Sequence, residues 1–421
     1  MRSKATATLL PKALVTWLSL PVVWPSLSAN LPESKSDPIG TTTPLWAAFN
    51  SWLKPLSDQL PADTQGRDAL ARAIEQEALK RADQFLAGLR LYHNAPFKRE
   101  EPQNVACLWA QGSARLLDYA PNAMGAPVVF VVPSLVNGYE ILDMTPTQSF
   151  VRFLAAQGFH PLVMDWGVPT EAEKDFSLDD YLRRYLLSAW KKARAMAGRQ
   201  KCHIVGYCMG GVMAMALAQH ARKLASSLTL IATPWDFSAQ GIAGIPAAST
   251  QSGRDFLTQA QSWLFALDEY GFLPPQLLQM MFTSYQLGQI LNKYLKLGEG
   301  AMDQNSLNRF TLAEDWLNNG VPLTLPVARE CLEGWYQKND LLFGRFRALG
   351  AVLDPQSLKL PTYLLTAKDD RIVPSDASRP LSLLIKNAQT FEAETGHIGL
   401  MTGQKSPAQI WPAYVEWLKR A

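Results

Sequence analysis

Residues Gly206 to Gly211 have the sequence GYCMGG, which lies between the apolar run CHIVGYC and the small-residue stretch MGGVMAMALAQ. A sharp turn from a strand into a helix exposes a nucleophile, and it needs small residues two positions before and two positions after it. Gly206 and Gly210 occupy those positions around Cys208. A buried structural cysteine is the ordinary explanation of an isolated string of this kind. Here the strand before it and the helix after it favour a nucleophile.

A cysteine nucleophile needs a base, and the chain contains five histidines. His397 lies in the loop ETGHIG after the last predicted strand, where the base that serves such a nucleophile belongs. The others lie on predicted helices or strands, where packing explains them: His93, His160, His203 and His220. We therefore expect His397 to be the general base.

The string TAKDDRIVP places two carboxylates directly after a predicted strand, where the group that orients the base belongs. We favour Asp370 over Asp369 because Asp370 immediately precedes the RIVP turn. Either carboxylate could instead be a solvated loop charge. The predicted order along the chain is nucleophile, acid and base, at Cys208, Asp370 and His397.

Backbone N–H groups are expected to stabilise the oxyanion that forms when the nucleophile attacks a carbonyl group. One of them comes from the residue after the nucleophile, which is Met209. The second comes from the loop after an early strand, here VVPSLVN. Pro133 has no N–H, so the donor in this loop is Ser134 or Leu135.

The residues that could do chemistry follow apolar runs that alternate with amphipathic helices. The runs include APVVFVV, HPLVMDW, KCHIVGYC and SLTLIATPWDF, and the pattern resumes at LPTYLLTA and AQTFEAE before a terminal helix. Apolar runs without polar alternation are typical of a parallel sheet that is covered on both faces. The segment VACLWAQGSARLLDYAP predicts a strand hairpin before these runs. The predicted fold class is α/β, with a mostly parallel sheet covered by helices.

Two further regions flank or interrupt this pattern. From about residue 236 to about residue 355 the alternation stops, and helical segments rich in aromatic residues and leucine predict a cap insertion within a catalytic domain of residues 99–421. Residues 1–98 are predicted to form an N-terminal helical appendage. It consists of an apolar segment, an irregular linker over residues 30 to 65, and an amphipathic helix from Gly66 to His93.

The apolar segment ALVTWLSLPVVWPSLSA follows a basic start, and three interpretations of it remain open. Pro21 and Pro25 interrupt the run, and Trp17 and Trp24 lie within it, so we favour a segment that lies on an apolar surface. A strap packed on the protein's own core and a cleaved signal peptide are the alternatives. We expect no transmembrane segment.

Composition excludes several classes of function. The formal net charge is +3, and no cluster of Lys and Arg alternates with aromatic residues, so a nucleic-acid partner is not expected. The four cysteines show neither CxxC pairing nor histidines at zinc-ligand spacing. We therefore expect free thiols, a reducing compartment, and neither a metal site nor a disulfide framework.

Four strings together resemble the polyhydroxyalkanoate synthases, which belong to the α/β-hydrolase superfamily. The strings are VVPSLVNGYEILDMTPTQSFVRFLAAQGFHPLVMDW, VGYCMGG, AKDDRIVP and GHIG, and the resemblance covers most of residues 100 to 405. It implies an α/β-hydrolase fold with Cys208 as the nucleophile, His397 as the base and Asp370 as its partner. It also implies that the chain polymerises (R)-3-hydroxyacyl-CoA and releases coenzyme A.

A cysteine suits that reaction because a thiolate accepts an acyl group from a coenzyme A thioester with little net change in free energy. The resemblance implies no cofactor, since the coenzyme A thioester is the substrate. It implies a growing polyester chain and a granule surface as partners in the cytoplasm, and it leaves a homodimer or a second subunit open. The alternatives are a cysteine-dependent thioesterase or polyester depolymerase, and a non-catalytic granule protein.

Overall fold

The computed structural model describes residues 63–95, 99, 104–239, 241–243, 245–284, 287–300 and 302–421. The apolar N-terminal segment and almost all of the predicted linker lie outside these residues. The chain divides into two compact units. One contains the long helix α1 (Thr64–Asn94) together with residues 288–307, and the other contains residues 96–287 and 308–421.

The larger unit is built around an eight-stranded sheet with the spatial order β1-β2-β4-β3-β5-β6-β7-β8. Its strands are β1 (Ala106–Gln111), β2 (Ala114–Asp118), β3 (Val128–Val132), β4 (His160–Asp165), β5 (Cys202–Tyr207), β6 (Ser227–Ile231), β7 (Thr362–Ala367) and β8 (Ala388–Ala393). β1 and β2 form an antiparallel hairpin, β2 pairs antiparallel with β4, and the six strands from β3 to β8 are parallel. The predicted mostly parallel sheet and its leading hairpin are confirmed.

Helices connect and cover these strands, as the alternating pattern predicts. After α1 they are α2 (Phe150–Ala156), α3 (Leu178–Asp180, a π-helical turn Tyr181–Leu186 and Leu187–Ala197), α4 (Met209–Ala221), α5 (Gln251–Ala266), α6 (Pro275–Ser284), α7 (Leu287–Gly298), α8 (Gln304–Asn318), α9 (Leu325–Arg329, continued by the π-helical turn Glu330–Gln337), α10 (Ser375–Leu384), α11 (Gly399–Thr402) and α12 (Trp411–Arg420, preceded by the π-helical turn Ser406–Ile410). Short 3-10 helices are Tyr139–Leu142, Arg222–Leu224 and Pro355–Ser357. None of the helices in the described ranges is long and apolar enough to span a lipid bilayer.

The hydrophobic core lies on both faces of the sheet. Along β3, Phe130 packs into the cluster on one face, whereas Val129 and Val131 pack into the cluster on the other face. Every residue of β3 and β5 is buried. Because both faces are covered, these strands show continuous apolar runs rather than alternation.

The smaller unit is held together by a close crossing of α1 and α7. A methyl group added at Gly88 would overlap the carbonyl group of Tyr294, and one added at Gly298 would overlap the backbone of α1. Phe85 and Tyr92 of α1 pack edge-on against the Tyr294 ring, with centroids 5.7 and 5.9 Å away. A helix spans the segment from Gly66 to His93, and the two glycines allow its C-terminal half to approach α7.

The region predicted as a cap is mostly helical, but it also contains a short antiparallel strand pair, Phe272–Leu273 with Leu323–Thr324. Part of the region, residues 288–307, belongs to the compact unit of α1. The rest, including the C-terminal part of α8 and the segment that follows it, belongs to the unit of the sheet.

Candidate active site

Cys208 lies at the junction of β5 and α4 in a backbone conformation that side chains other than glycine rarely adopt. Its φ is 54° and its ψ is −129°. Its N–H donates to the carbonyl oxygen of Ile231 on β6 at 2.8 Å, which fixes the turn against the sheet. The side chain is partly exposed at the N-terminus of α4. This is the strained strand-to-helix turn that the glycine spacing predicts.

The glycines around Cys208 are places of close approach. A methyl group at Gly206 would overlap Gly211, and a methyl group at Gly211 would overlap the Thr233 side chain. A methyl group at Gly210 would overlap the carbonyl groups of β3's last residue and of Pro133. α4 therefore begins directly against the loop that follows β3, and only glycine allows this distance.

His397 and Asp370 form a buried hydrogen-bonded pair. The His397 Nδ1 and Asp370 Oδ2 atoms are 2.8 Å apart, and both residues are about 5% exposed. The other carboxylate oxygen of Asp370 accepts hydrogen bonds from the N–H groups of Ile372 and Val373, at 2.9 and 2.8 Å. Asp369 is exposed. The structure thus brings Asp370, and not its neighbour, to the imidazole ring, and the RIVP turn orients the carboxylate.

The surroundings of His397 favour a protonated imidazole. Burial opposes the charge, but the attraction of Asp370 and then that of Cys208 outweigh it and raise the pKa of His397 above its ordinary value. Tyr207 supports the ring from β5, with its own ring centroid 5.2 Å away and its hydroxyl group donating to the His397 carbonyl oxygen at 3.4 Å. No motif in the sequence predicts this role for Tyr207, and its adjacency to Cys208 is the only signal in the sequence.

The predicted second source of oxyanion donors lies beside the nucleophile. Ser134 and Leu135 are buried, and their N–H groups have no acceptor within the described part of the chain. The close approach of Gly210 to Pro133 places this loop against the start of α4, where Met209 contributes the first predicted N–H. Free backbone donors at a helix N-terminus are suited to stabilising a developing negative charge.

The other histidines lie away from the carboxyl end of the sheet or face the core. His160 forms a second buried pair with Asp118 at 2.8 Å, but it begins β4, at the opposite end of the parallel strands from Cys208. His203 is inside β5 and bonds Ser227 at 2.7 Å. The remaining two are exposed near helix ends, His93 on α1 and His220 on α4. Among the five, His397 alone lies with the cysteine turn.

A narrow space lies beside the predicted oxyanion loop. A cavity of about 10 Å³ lies there, with room for about one water molecule, and Leu135, Trp166 and Leu323 are among the residues that line it. The cavity is too small for an acyl chain in this conformation. The Cys208 side chain itself remains partly exposed.

Comparisons with known proteins agree with the fold. A family model described as alpha/beta hydrolase fold matches residues 127–404. The chain is 28% identical over 316 residues to the poly(3-hydroxyalkanoate) polymerase subunit PhaC of Haloferax mediterranei, covering 74% of this chain and 62% of that protein. Identity to the subunit of the same name from Allochromatium vinosum is 28% over 303 residues, or 71% and 82% of the two chains. For Synechocystis it is 24% over 356 residues, or 81% and 92%. The chain thus spans less than two thirds of the Haloferax protein.

Proposed function

The chain belongs to the alpha/beta hydrolase fold family, and on that premise we propose that it is a polyhydroxyalkanoate synthase-like acyltransferase with Cys208, His397 and Asp370 as its catalytic triad. The observation that carries the proposal is a cysteine at the strained strand-to-helix turn, beside a buried His–Asp pair. The three relatives named as poly(3-hydroxyalkanoate) polymerase subunits support it. The substrate class is (R)-3-hydroxyacyl-CoA.

The first step is thioester exchange. The Cys208 sulfur attacks the thioester carbonyl carbon, and the N–H of Met209 with that of Ser134 or Leu135 stabilises the oxyanion. The carbon–sulfur bond to coenzyme A breaks, and the proton that His397 received from the thiol goes to the departing coenzyme A sulfur. One thioester replaces another, so the step is close to neutral in free energy. The coenzyme A thioester is consumed as substrate, and the proposed chemistry needs no cofactor or metal.

The second step is attack on the acyl-enzyme by the hydroxyl group of another 3-hydroxyacyl unit. His397 takes the hydroxyl proton, an ester bond forms, and the Cys208 sulfur leaves with the proton. Asp370 holds the imidazole in one tautomer and stabilises its cation. Water competes for the same acyl group, so a synthase needs a dry site. Leu135, Trp166 and Leu323 give the small cavity beside the oxyanion loop apolar walls.

In this proposal residues 99–421 are the catalytic region, and the segment from about 236 to about 355 is a cap that excludes water. Residues 1–98 are an appendage whose apolar start attaches the enzyme to the surface of a cytoplasmic polyester granule. Deleting residues 1–30 should move the protein from the granule fraction to the soluble fraction of its native cell. Intact-mass measurement would contradict this role if it showed cleavage near Ala29.

The test of the activity uses purified protein and 3-hydroxybutyryl-CoA, with coenzyme A release, polymer and free 3-hydroxybutyrate all measured. We expect coenzyme A release matched by polymer. Cys208→Ala should abolish the release, whereas Cys202→Ala is a matched control, since Cys202 is buried inside β5. Free acid without polymer would show a hydrolase, and equal loss in both folded variants would contradict the nucleophile.

A further inference from the structure

The segment that follows the predicted oxyanion donors is held by the polypeptide that follows α8. The carbonyl oxygen of Val136 accepts a hydrogen bond from the N–H of Val321 at 2.9 Å. One residue further, Asn137 and Gly320 form an isolated antiparallel bridge. Because β3 ends at Val132, none of the strands in the described ranges of the large sheet pairs with the loop beyond that point. The contacts with Gly320 and Val321 hold the loop instead of sheet pairing.

Trp316, near the C-terminus of α8, adds two hydrogen bonds to the same segment. Its Nε1–H donates to the carbonyl oxygen of Gly138 at 2.8 Å. Its own carbonyl oxygen accepts from the Nδ2–H of Asn137 at 3.0 Å. The Trp316 ring is half-buried against the core cluster on one face of the sheet. Trp316 thus fixes the C-terminal end of the loop through both its side chain and its backbone carbonyl group.

The near end of the loop is fixed by a different contact. The Nε1–H of Trp166 donates to the carbonyl oxygen of Pro133 at 3.0 Å. Ser134 and Leu135 therefore lie between an anchor directly after β4 and an anchor in the segment that follows α8. A donor must be within hydrogen-bonding distance of the oxyanion, and a misplacement of about 1 Å costs on the order of a hundredfold in rate.

We propose that Trp316 and Asn137 are positioning residues that hold the oxyanion loop in its active geometry. The inference deepens the proposed acyl-transfer function and rests on it. Neither side chain touches the reacting atoms in this scheme. Their contacts make the oxyanion site depend on the seating of the segment that follows α8, so displacement of that segment would release the N–H groups of Ser134 and Leu135.

The test separates oxyanion stabilisation from the reactivity of the thiol. Acylation of Cys208 by p-nitrophenyl acetate, measured as the burst of p-nitrophenolate, passes through an oxyanion. Alkylation of Cys208 by iodoacetamide does not. Trp316→Phe keeps an aromatic ring and removes the Nε1–H, and it should slow acylation by about tenfold or more without slowing alkylation. Asn137→Asp, which replaces the donor with an acceptor facing a carbonyl oxygen, should do the same.

Trp109→Phe is the matched control. Trp109 is also half-buried, it lies on β1, and its Nε1–H has no acceptor in the described ranges, so both rates should stay at the wild-type values. Equal slowing of acylation and alkylation in Trp316→Phe would overturn the inference, as would unchanged acylation in both test variants. The ester assay does not use coenzyme A. A wild-type enzyme that reacts with the ester but makes no polymer therefore contradicts the proposed function alone.

Discussion

The backbone at Cys208 predicts that glycine is unusually well tolerated at the nucleophile position. A positive φ of 54° with a ψ of −129° costs a residue that carries a Cβ atom on the order of 1–3 kcal/mol. Cys208→Ala and Cys208→Gly both remove the thiol, but only the glycine variant removes the Cβ atom. The comparison between them isolates the strain from the loss of the sulfur.

The expected magnitude follows from three contributions to the Ala-to-Gly step at this position. Relief of strain stabilises the glycine variant by about 2 kcal/mol. The greater freedom of glycine in the unfolded chain destabilises it by about 0.5–1 kcal/mol, and loss of a buried methyl group by up to about 0.8 kcal/mol. At Cys202, which lies within β5 and has no positive φ, only the two destabilising contributions apply. The step should be about 2 kcal/mol more favourable at residue 208 than at residue 202.

The assay is the free energy of unfolding in urea for the four variants, Ala and Gly at each position. At residue 202 we expect the glycine variant to have a clearly lower free energy of unfolding than the alanine variant. At residue 208 we expect the glycine variant to be as stable as the alanine variant or more stable. If the Ala-to-Gly step costs the same at both positions, the turn stores no strain and the reasoning is refuted. Loss of activity in both Cys208 variants is expected in either case.

Three further outcomes are expected. His397→Gln and Asp370→Asn should both slow acylation of the enzyme, and the histidine change should slow it more. Asp369→Asn should have little effect because that carboxylate is exposed. If Asp369→Asn slowed acylation and Asp370→Asn did not, the assignment of the carboxylate would be reversed. Burial lowers the pKa of His203 to about 4, so below about pH 6.5 the unfolded chain binds a proton that the folded chain does not. The free energy of unfolding should therefore fall by up to about 3 kcal/mol as the pH drops from about 6.5 to about 4, and urea titrations should show a smaller fall for His203→Gln. Gly88→Ala should destabilise the packing of α1 against α7 by about 1–3 kcal/mol. The α1 amides should then exchange their hydrogens faster. Unchanged exchange rates would mean that the two helices accommodate the methyl group.

The parts of the fold that local sequence determines were predictable. Continuous apolar runs marked the parallel strands, and the spacing of Gly206 and Gly210 marked the turn at Cys208, because each depends on residues close together in the chain. The preference for Asp370 was also local, since the N–H groups of the turn that follows it hold its carboxylate.

Features that depend on distant pairings were not predictable from one sequence. Trp316 bonds Gly138 across 178 positions, and no local pattern connects the two. The union of residues 288–307 with α1 depends on the complementary placement of Gly88 and Gly298, which is visible only once the two helices face each other. Isolated glycines in a helical pattern predict only a weaker helix.

β8 is the last strand of the sheet, and this position affects how easily it detaches from the native structure. β8 pairs with β7 on one side, lies at the edge, and has only one fully buried residue. His397 follows four residues after its end. Edge segments with little buried surface separate from the native structure at a lower free energy than central strands. Partial detachment of β8 would therefore withdraw His397 while β5 still held Cys208. On heating, the protein would then lose catalytic activity at a lower temperature than the one at which its core unfolds.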